Sequence, residues 1–311
     1  MTDMWLADER ARARRGGPQP LFPGTQWHSP TGPQVAEPIH VRGPAGPWDQ
    51  VRADLDTLGW AVVHARIGEW LPENPDSPSV RRVLGRDWAR YEKMRHPKIK
   101  ARFAATRSLL KHAAGVAIDA PPHSVELGYS AFGRPYLRGF DQVDISLSHT
   151  GDFLLVGLTT RGLIGVDAEA IDRQLLRGGT EQHICTPYEI KMLERVPAAR
   201  RNRSAVRLWT LKEAYSKAIG QGLRFKFTEF GFGEDGAPVR VQRPDGTPGT
   251  GDEWTFATFH PGMRHCASVA VFDAGFGAPD DTAAATMLDA GLVHAVNEMV
   301  AEACQSGEAA A

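Results

Sequence analysis

Leu163-Ile-Gly-Val-Asp-Ala-Glu169 is the stretch on which the reading of the fold turns. Alternate side chains of an extended strand share a face, so Ile164, Val166 and Ala168 suit a buried side while Asp167 and Glu169 project together on the other. Downstream, the pattern predicts a helix over Pro187 to Arg195 and a longer one over Ala205 to Gly220. Strands follow at Thr228 to Phe232, Val239 to Gln242, Trp254 to His260 and Cys266 to Phe272. Upstream, Gly59 to Ile67 reads as a strand. Helices follow over Arg81 to Arg95 and Lys98 to Ala114, parted at Pro97, which disfavours helix in the residue before it. Val125 to Tyr129 and Asp144 to Thr159 read as strands, with Gly133-Arg134-Pro135 and Gly151-Asp152 as turns. Strand, helix, helix, then strands occurs twice. The expectation is an α+β fold of two similar halves, 49–160 and 161–273, joined near residue 161.

The flanks differ in kind. Residues 1–48 run through GGPQP, FPGTQ, SPTGPQ and RGPAGP, with too little apolar surface to offset ordering, and predict a flexible arm. Residues 274–311 form an acidic tail, with no Lys or Arg beyond Arg264. There Asp280-Asp281-Thr282 precedes an apolar stripe of Leu288, Leu292, Val296, Met299 and Val300 that predicts a helix.

Composition narrows the function classes. The 311 residues carry 36 Lys plus Arg against 37 Asp plus Glu, a net charge of -1, which gives no electrostatic case for nucleic acid. No apolar run is long enough for a membrane span, and Met1 to Arg15 lacks a secretory apolar stretch. Cys185, Cys266 and Cys304 are far apart and odd in number, which argues against a disulfide framework or structural zinc and for a reducing, cytoplasmic setting.

Four groups of residues carry chemistry. Asp167 and Glu169, about 7 Å apart along one strand face, repel each other unless a cation or solvent intervenes. Such hard oxygen ligands suit Mg²⁺ beside phosphate, although an acidic strand end facing solvent has the same letters. In Leu208-Trp-Thr-Leu-Lys-Glu-Ala-Tyr-Ser-Lys-Ala-Ile-Gly220, helical spacing gathers Leu208, Leu211, Tyr215, Ala218 and Ile219 on one face. Glu213 and Lys217 sit at i,i+4 opposite, and Lys212 lies at the stripe's edge with its ammonium reaching outward. Alone, this also describes an ordinary amphipathic surface helix. Ser146, Ser148 and Thr150 share a strand face ending at His149, where hydroxyls and imidazole can meet a phosphate or merely finish a turn. Arg95, Lys98, Lys100, Arg102, Arg107 and Lys111 crowd one helical region and suit either an anion or plain solvation.

The order of these blocks is more specific than any one of them. GRP (133–135), SLSHT (146–150), GVDAE (165–169) and WTLKEAYSKAIGQGL (209–223) together resemble the long, pseudodimeric Sfp-type 4'-phosphopantetheinyl transferases, over roughly residues 58 to 273. The resemblance implies two α+β halves related by a pseudo-twofold, with coenzyme A in the cleft between them. It also implies Mg²⁺-dependent transfer of the 4'-phosphopantetheine arm to a carrier-protein serine, releasing 3',5'-ADP. Asp167, Glu169 and Glu213 would be the Mg²⁺ ligands. Glu213 would serve as base, and Lys217 would sit on the phosphate at the leaving side. Ser148, His149 and Arg134 (in a place usually held by Lys) would contact coenzyme A. Arg107, Ser108, Arg95 and Lys212 complete the expected cofactor-binding set. A fatty acid, polyketide or nonribosomal peptide carrier is the expected partner, and one chain suffices as a monomer. The rival expectation is a relative that binds carrier protein or nucleotide without catalysis.

Overall fold

The computed structural model describes residues 36–274 except 73, 76, 132, 234–238 and 252. A short strand β1 (Ile39–His40) runs parallel to β2 (Trp60–Arg66). Between them lies helix α1 (Trp48–Leu58), which ends on Gly59 in the left-handed conformation (φ 79°) that closes helices at little cost. Helices α2 (Pro78–Leu84), α3 (Trp88–Glu92) and α4 (Pro97–Ala117) follow. Next come the hairpin β3 (Leu127–Tyr129) and β4 (Pro135–Leu137), then β5 (Asp144–Thr150) and β6 (Phe153–Thr159).

The remainder comprises β7 (Gly162–Ala170), α5 (Glu181–Ile184), α6 (Pro187–Arg195) and α7 (Ala198–Ala218). It closes with the hairpin β8 (Gly231–Phe232) and β9 (Val241–Gln242), then β10 (Trp254–Phe259) and β11 (His265–Asp273). Helix starts follow the sequence. Pro97 opens α4, and Thr186 with Glu189 forms a reciprocal capping box at α6.

The two parts repeat one pattern of pairing. β2 pairs antiparallel with β6 and β6 with β5, just as β7 pairs with β11 and β11 with β10. Each part inserts a 21-residue helix between its first strand and its small hairpin. Lys111 and Lys212 hold the same place in those helices, and both are buried. The α+β class expected from the sequence is the one observed.

Burial defines four layers. Ala61, Val63, Ala65, Leu154, Val156 and Leu158 face α4, where Leu109, Leu110 and Ala113 cover them. The opposite face of that sheet, with Trp60, Val62 and Leu155, packs on Ile164, Val166, Ala168, Val269 and Val271 of the second sheet. Cys266 and Ala270 turn the other way, into a core with Leu208, Leu211 and Ala214 of α7. Helix, sheet, sheet, helix is the stacking order. Each fully buried aliphatic side chain contributes about 1.5–3 kcal/mol through apolar transfer.

Three expectations need correction. The arm read as 1–48 stops short, because Ile39 and Val41 are buried in the first core and Val41 donates its N–H to the His64 carbonyl. Apolar side chains outweigh the surrounding Gly and Pro there. The helix read as Arg81 to Arg95 is two helices, α2 and α3, interrupted where Gly85 takes φ 56°. Helix α1 was not foreseen, its inward face being only Val51 and Leu55. The tail helix, Cys304 and residues 1–35 lie outside the described residues.

Candidate active site

The two sheets meet at β5 and β7, each the outer strand of its own sheet. An outer strand presents unpaired N–H and C=O groups that must find partners when buried. Here side chains supply them. Asp144, Ser146 and Ser148, spaced two apart on β5, accept from the N–H groups of Ile164 (2.8 Å), Val166 (3.0 Å) and Ala168 (3.3 Å). The serines of the SLSHT block thus fix β7 in register with the first half.

On the other side of β7, Gly165 lets α7 approach closely. A Cβ there would stand 1.8 Å from the Ala214 carbonyl oxygen and 2.6 Å from the Ala218 nitrogen. This contact sets Glu213 and Lys217 of the helix over Asp167 of the strand. Lys217 Nζ donates to Asp167 Oδ1 at 2.7 Å and to the Val166 carbonyl at 3.1 Å. Ser148 Oγ donates to the same carboxylate oxygen at 2.7 Å. Asp167 Oδ2 is buried and has no hydrogen-bond partner. Glu213 is itself only 7% exposed, and burial, then the neighbouring Asp167, push its carboxyl up to about 7.

Glu169 departs from the expected trio. It pairs with Arg173 four residues on and accepts from Thr150 Oγ1 at 3.2 Å. Among the described residues, no three of His, Cys, Asp and Glu are gathered closely enough to hold a metal ion. The Arg173 guanidinium supplies Glu169 with a cation of its own. Asp167 and Glu213 nevertheless fit a hard divalent ion. One has a buried oxygen without a donor, and the other is a buried carboxyl raised by burial and then by its like-charged neighbour, and both are hard oxygen donors.

A cavity of about 550 Å³ opens beside this pair, lined from the first half by Arg134, Ser146 and Leu147. Glu213, Lys217, Gln221 and Arg224 line it from the second. His149 stands exposed at the end of β5. Partial shielding, then the charge of Arg102, with Lys217 a lesser influence, hold its imidazole below the ordinary value. Arg102, one of the basic group in the sequence, is therefore close enough to His149 to act on its charge. Gln221, Arg224 and Asp144 were missed; the GQG turn after the helix was the available signal for the first two.

Three expected cofactor contacts, Lys212, Arg107 and Ser108, are engaged elsewhere. Lys212 is fully buried and bonded to Glu189 (2.5 Å) and to the carbonyls of Ile184 (2.8 Å) and Phe227 (2.6 Å). Its ammonium turns inward because those acceptors sit below the helix; it does not reach solvent as the helical wheel suggested. Arg107 bonds Asp87 at 3.1 Å and lies against the rings of Phe103 and Tyr129. Ser108 lines a separate, largely apolar cavity of about 290 Å³ with Trp70 and His112. Arg134 does reach the cleft, but its NH1 and NH2 groups donate to Lys217 O, Ala218 O, Ile164 O and Asp144. Arg95 is exposed just before α4.

A family model described as the 4'-phosphopantetheinyl transferase superfamily matches residues 163–270, the stretch holding Asp167, Glu213 and Lys217. The matched segment begins one residue inside β7 and ends within β11, so it covers most of the second sheet and α7. The Synechocystis sp. protein slr0495, provisionally named a 4'-phosphopantetheinyl transferase, is 29% identical over 159 residues, or 50% of this chain and 65% of that one. The chain thus spans just under two thirds of that relative's length. The 4'-phosphopantetheinyl transferase HetI of Nostoc sp. is 28% identical over 193 residues, 61% of this chain and 77% of its own. Among solved structures, a holo-(acyl-carrier-protein) synthase of Bacillus anthracis in complex with CoA (3',5'-ADP) overlays with a TM-score of 0.30 at 20% identity. That overlay covers 37% of this chain and 98% of that one, and a likeness of this degree decides nothing about the present site.

Proposed function

We propose that the chain transfers the 4'-phosphopantetheine arm of coenzyme A to a serine hydroxyl of an acyl or peptidyl carrier protein, leaving 3',5'-ADP. The observation that carries this reading is Asp167. One of its oxygens is held by Ser148 and Lys217 and the other is buried without a donor, beside Glu213 at a cleft walled by both halves. The relatives' names agree with it.

In the reaction the serine oxygen attacks the pantetheine-side phosphorus of the diphosphate. The bond from that phosphorus to the bridging oxygen breaks, and its electron pair leaves with 3',5'-ADP. Glu213 accepts the serine proton, a role typically worth about 10²–10⁴ in rate. Lys217 places a positive charge beside the phosphates, and loss of one such contact costs about 10²–10³. His149, with the Arg102 charge acting on it, would meet a further phosphate. Asp167 and Glu213 would hold Mg²⁺, joined by Glu169 if it exchanges Arg173 for the ion. When bound, Mg²⁺ supplies charge neutralisation at the diphosphate. The protein's own part is alignment, since phosphoryl transfer depends more on positioning than on covalent help.

Both halves lie in one chain, so a single copy completes the cleft, and we read the protein as a monomer whose halves are related by a pseudo-twofold. We also read it as cytoplasmic, the compartment that its proposed substrates share; among the described residues no helix is long and apolar enough to cross a membrane. The carrier belongs to fatty acid, polyketide or nonribosomal peptide synthesis. Incubation with coenzyme A, Mg²⁺ and an unmodified carrier protein is the test. A mass gain of roughly 340 Da, one phosphopantetheine, is expected. No gain across a panel of carriers would leave only the rival reading, a binding protein without catalysis.

A further inference from the structure

We infer that Arg134 and Asp144 form a positioning clamp that seats the C-terminal end of α7 on β7. The catalytic consequence drawn from it rests on the transfer reaction proposed above. Arg134 belongs to the turn before β4, in the first half, yet its guanidinium works on the second. Its NH1 group donates to the carbonyls of Lys217 and, at 2.7 Å, Ala218, in the last turn of α7. Its NH2 group donates to the Ile164 carbonyl at 3.0 Å and to Asp144. Asp144 in turn accepts the Ile164 N–H at 2.8 Å. The pair therefore takes both backbone groups of one β7 residue, replacing the neighbouring strand that β7 lacks on this side. It also satisfies helix-end carbonyls, where a cation is favoured by the helix dipole.

The geometry links this clamp to chemistry through Lys217. The residue whose carbonyl Arg134 holds is the one whose ammonium reaches Asp167, and Glu213 lies one turn earlier on the same helix. Gly165 allows the helix to approach the strand, and Arg134 with Asp144 fixes how far along the strand the helix end comes to rest. With both terminal amino groups of its guanidinium engaged by protein acceptors, Arg134 acts here through Lys217 and Glu213 and not by touching coenzyme A.

Arg134→Ala, Arg134→Lys, Asp144→Asn and Asp144→Ala are compared with the parent chain by carrier-protein mass shift, resolving kcat from KM for coenzyme A. Arg134→Ala is expected to lower kcat about 10²-fold, as small misplacements of reacting groups do. KM for coenzyme A should stay within about threefold. Asp144→Ala should show the same split, and the double variant should be no worse than the weaker single, because the two act as one unit. Arg134→Lys keeps the charge on Asp144 but loses the fork, and should recover part of the rate. A raised KM with kcat intact would overturn the proposal in favour of direct coenzyme A contact. A lowered unfolding midpoint with unchanged kcat would reduce the clamp to a structural role. Full turnover in Asp144→Ala would remove the pair altogether. Should Arg134→Ala fail to fold, Arg134→Lys and Asp144→Asn carry the same comparison.

Amide hydrogen exchange supplies a readout independent of catalysis. Loss of protection at Ile164, Ile219, Gly220 and Gln221 is expected in both Arg134 variants. If the parent chain transfers nothing, the reaction is refuted while this measurement still judges the clamp. Unchanged protection at those four amides would refute the clamp itself.

Discussion

Replacing Gly165 with alanine adds one methyl group at the tightest backbone approach in the second half. The new Cβ would stand 1.8 Å from Ala214 O and 2.6 Å from Ala218 N, the carbonyl and amide of successive turns of α7. Both are backbone atoms, so no side chain can rotate out of the way. For ordinary van der Waals contact the helix must retreat by roughly 1.5 Å, against a core already packed at crystal-like density. Overpacking of this kind costs about 1–3 kcal/mol, and backbone contact puts this case at the upper end. The same retreat would stretch the 2.7 Å bond from Lys217 to Asp167 beyond hydrogen-bond range. Gly165→Ala should therefore lose about 3 kcal/mol in urea unfolding, and the folded fraction should transfer phosphopantetheine about 10²-fold more slowly. The assay pairs denaturation monitored through tryptophan fluorescence with the mass-shift measurement at a temperature where the variant is folded. A variant within about 0.5 kcal/mol of the parent and equally active would refute the claim that strand and helix touch here.

Further expectations follow from single groups. Lys212→Met leaves Glu189 buried without its cation and should cost about 3–5 kcal/mol of stability, with KM for coenzyme A in the folded fraction unchanged; a KM effect without destabilisation would restore its cofactor role. Burial, then the stacked His40, hold His64 down to about 4, below its unfolded value of 6.5. Its contribution is thus complete above pH 6.5 and lost as the pH falls towards 4, by up to about 2 kcal/mol once solvent screening is allowed for. His64→Gln should flatten that part of the urea-midpoint profile, and an unchanged slope would show that other groups govern it. Asp167→Ala should abolish transfer while the chain remains folded by circular dichroism; residual turnover near the parent's would remove the site as drawn. Chelation with EDTA should stop transfer and added Mg²⁺ restore it, whereas EDTA-resistant transfer would refute the metal requirement.

How legible the fold was depended on burial pattern. Strands with alternating or continuous apolar runs, such as Phe153–Thr159 and His265–Asp273, stood out, and the capped helix Pro187–Arg195 matched its expected bounds. Helix α1 did not stand out, because only Val51 and Leu55 face inward. At the site, Asp167, Glu213 and Lys217 were legible as letters in order. Arg107, Arg134 and Lys212 are engaged by partners that the sequence pattern does not reveal, for a common reason. A polar side chain's role depends on which acceptors surround it, and those come from segments distant in the chain.

By itself the sequence determined the α+β class, the repeated order of elements, and the carboxylates and lysine on which the proposed chemistry depends. Local periodicity and turn residues encode these without reference to partners. Only the tertiary structure decided that Lys212 is an internal ion pair, that Arg134 holds a helix end, and that Glu169 rests on Arg173. Hydrogen bonds act over about 3 Å of space whatever the separation along the chain, so a separation of 83 positions between Arg134 and Lys217 conceals a contact that the folded protein makes directly.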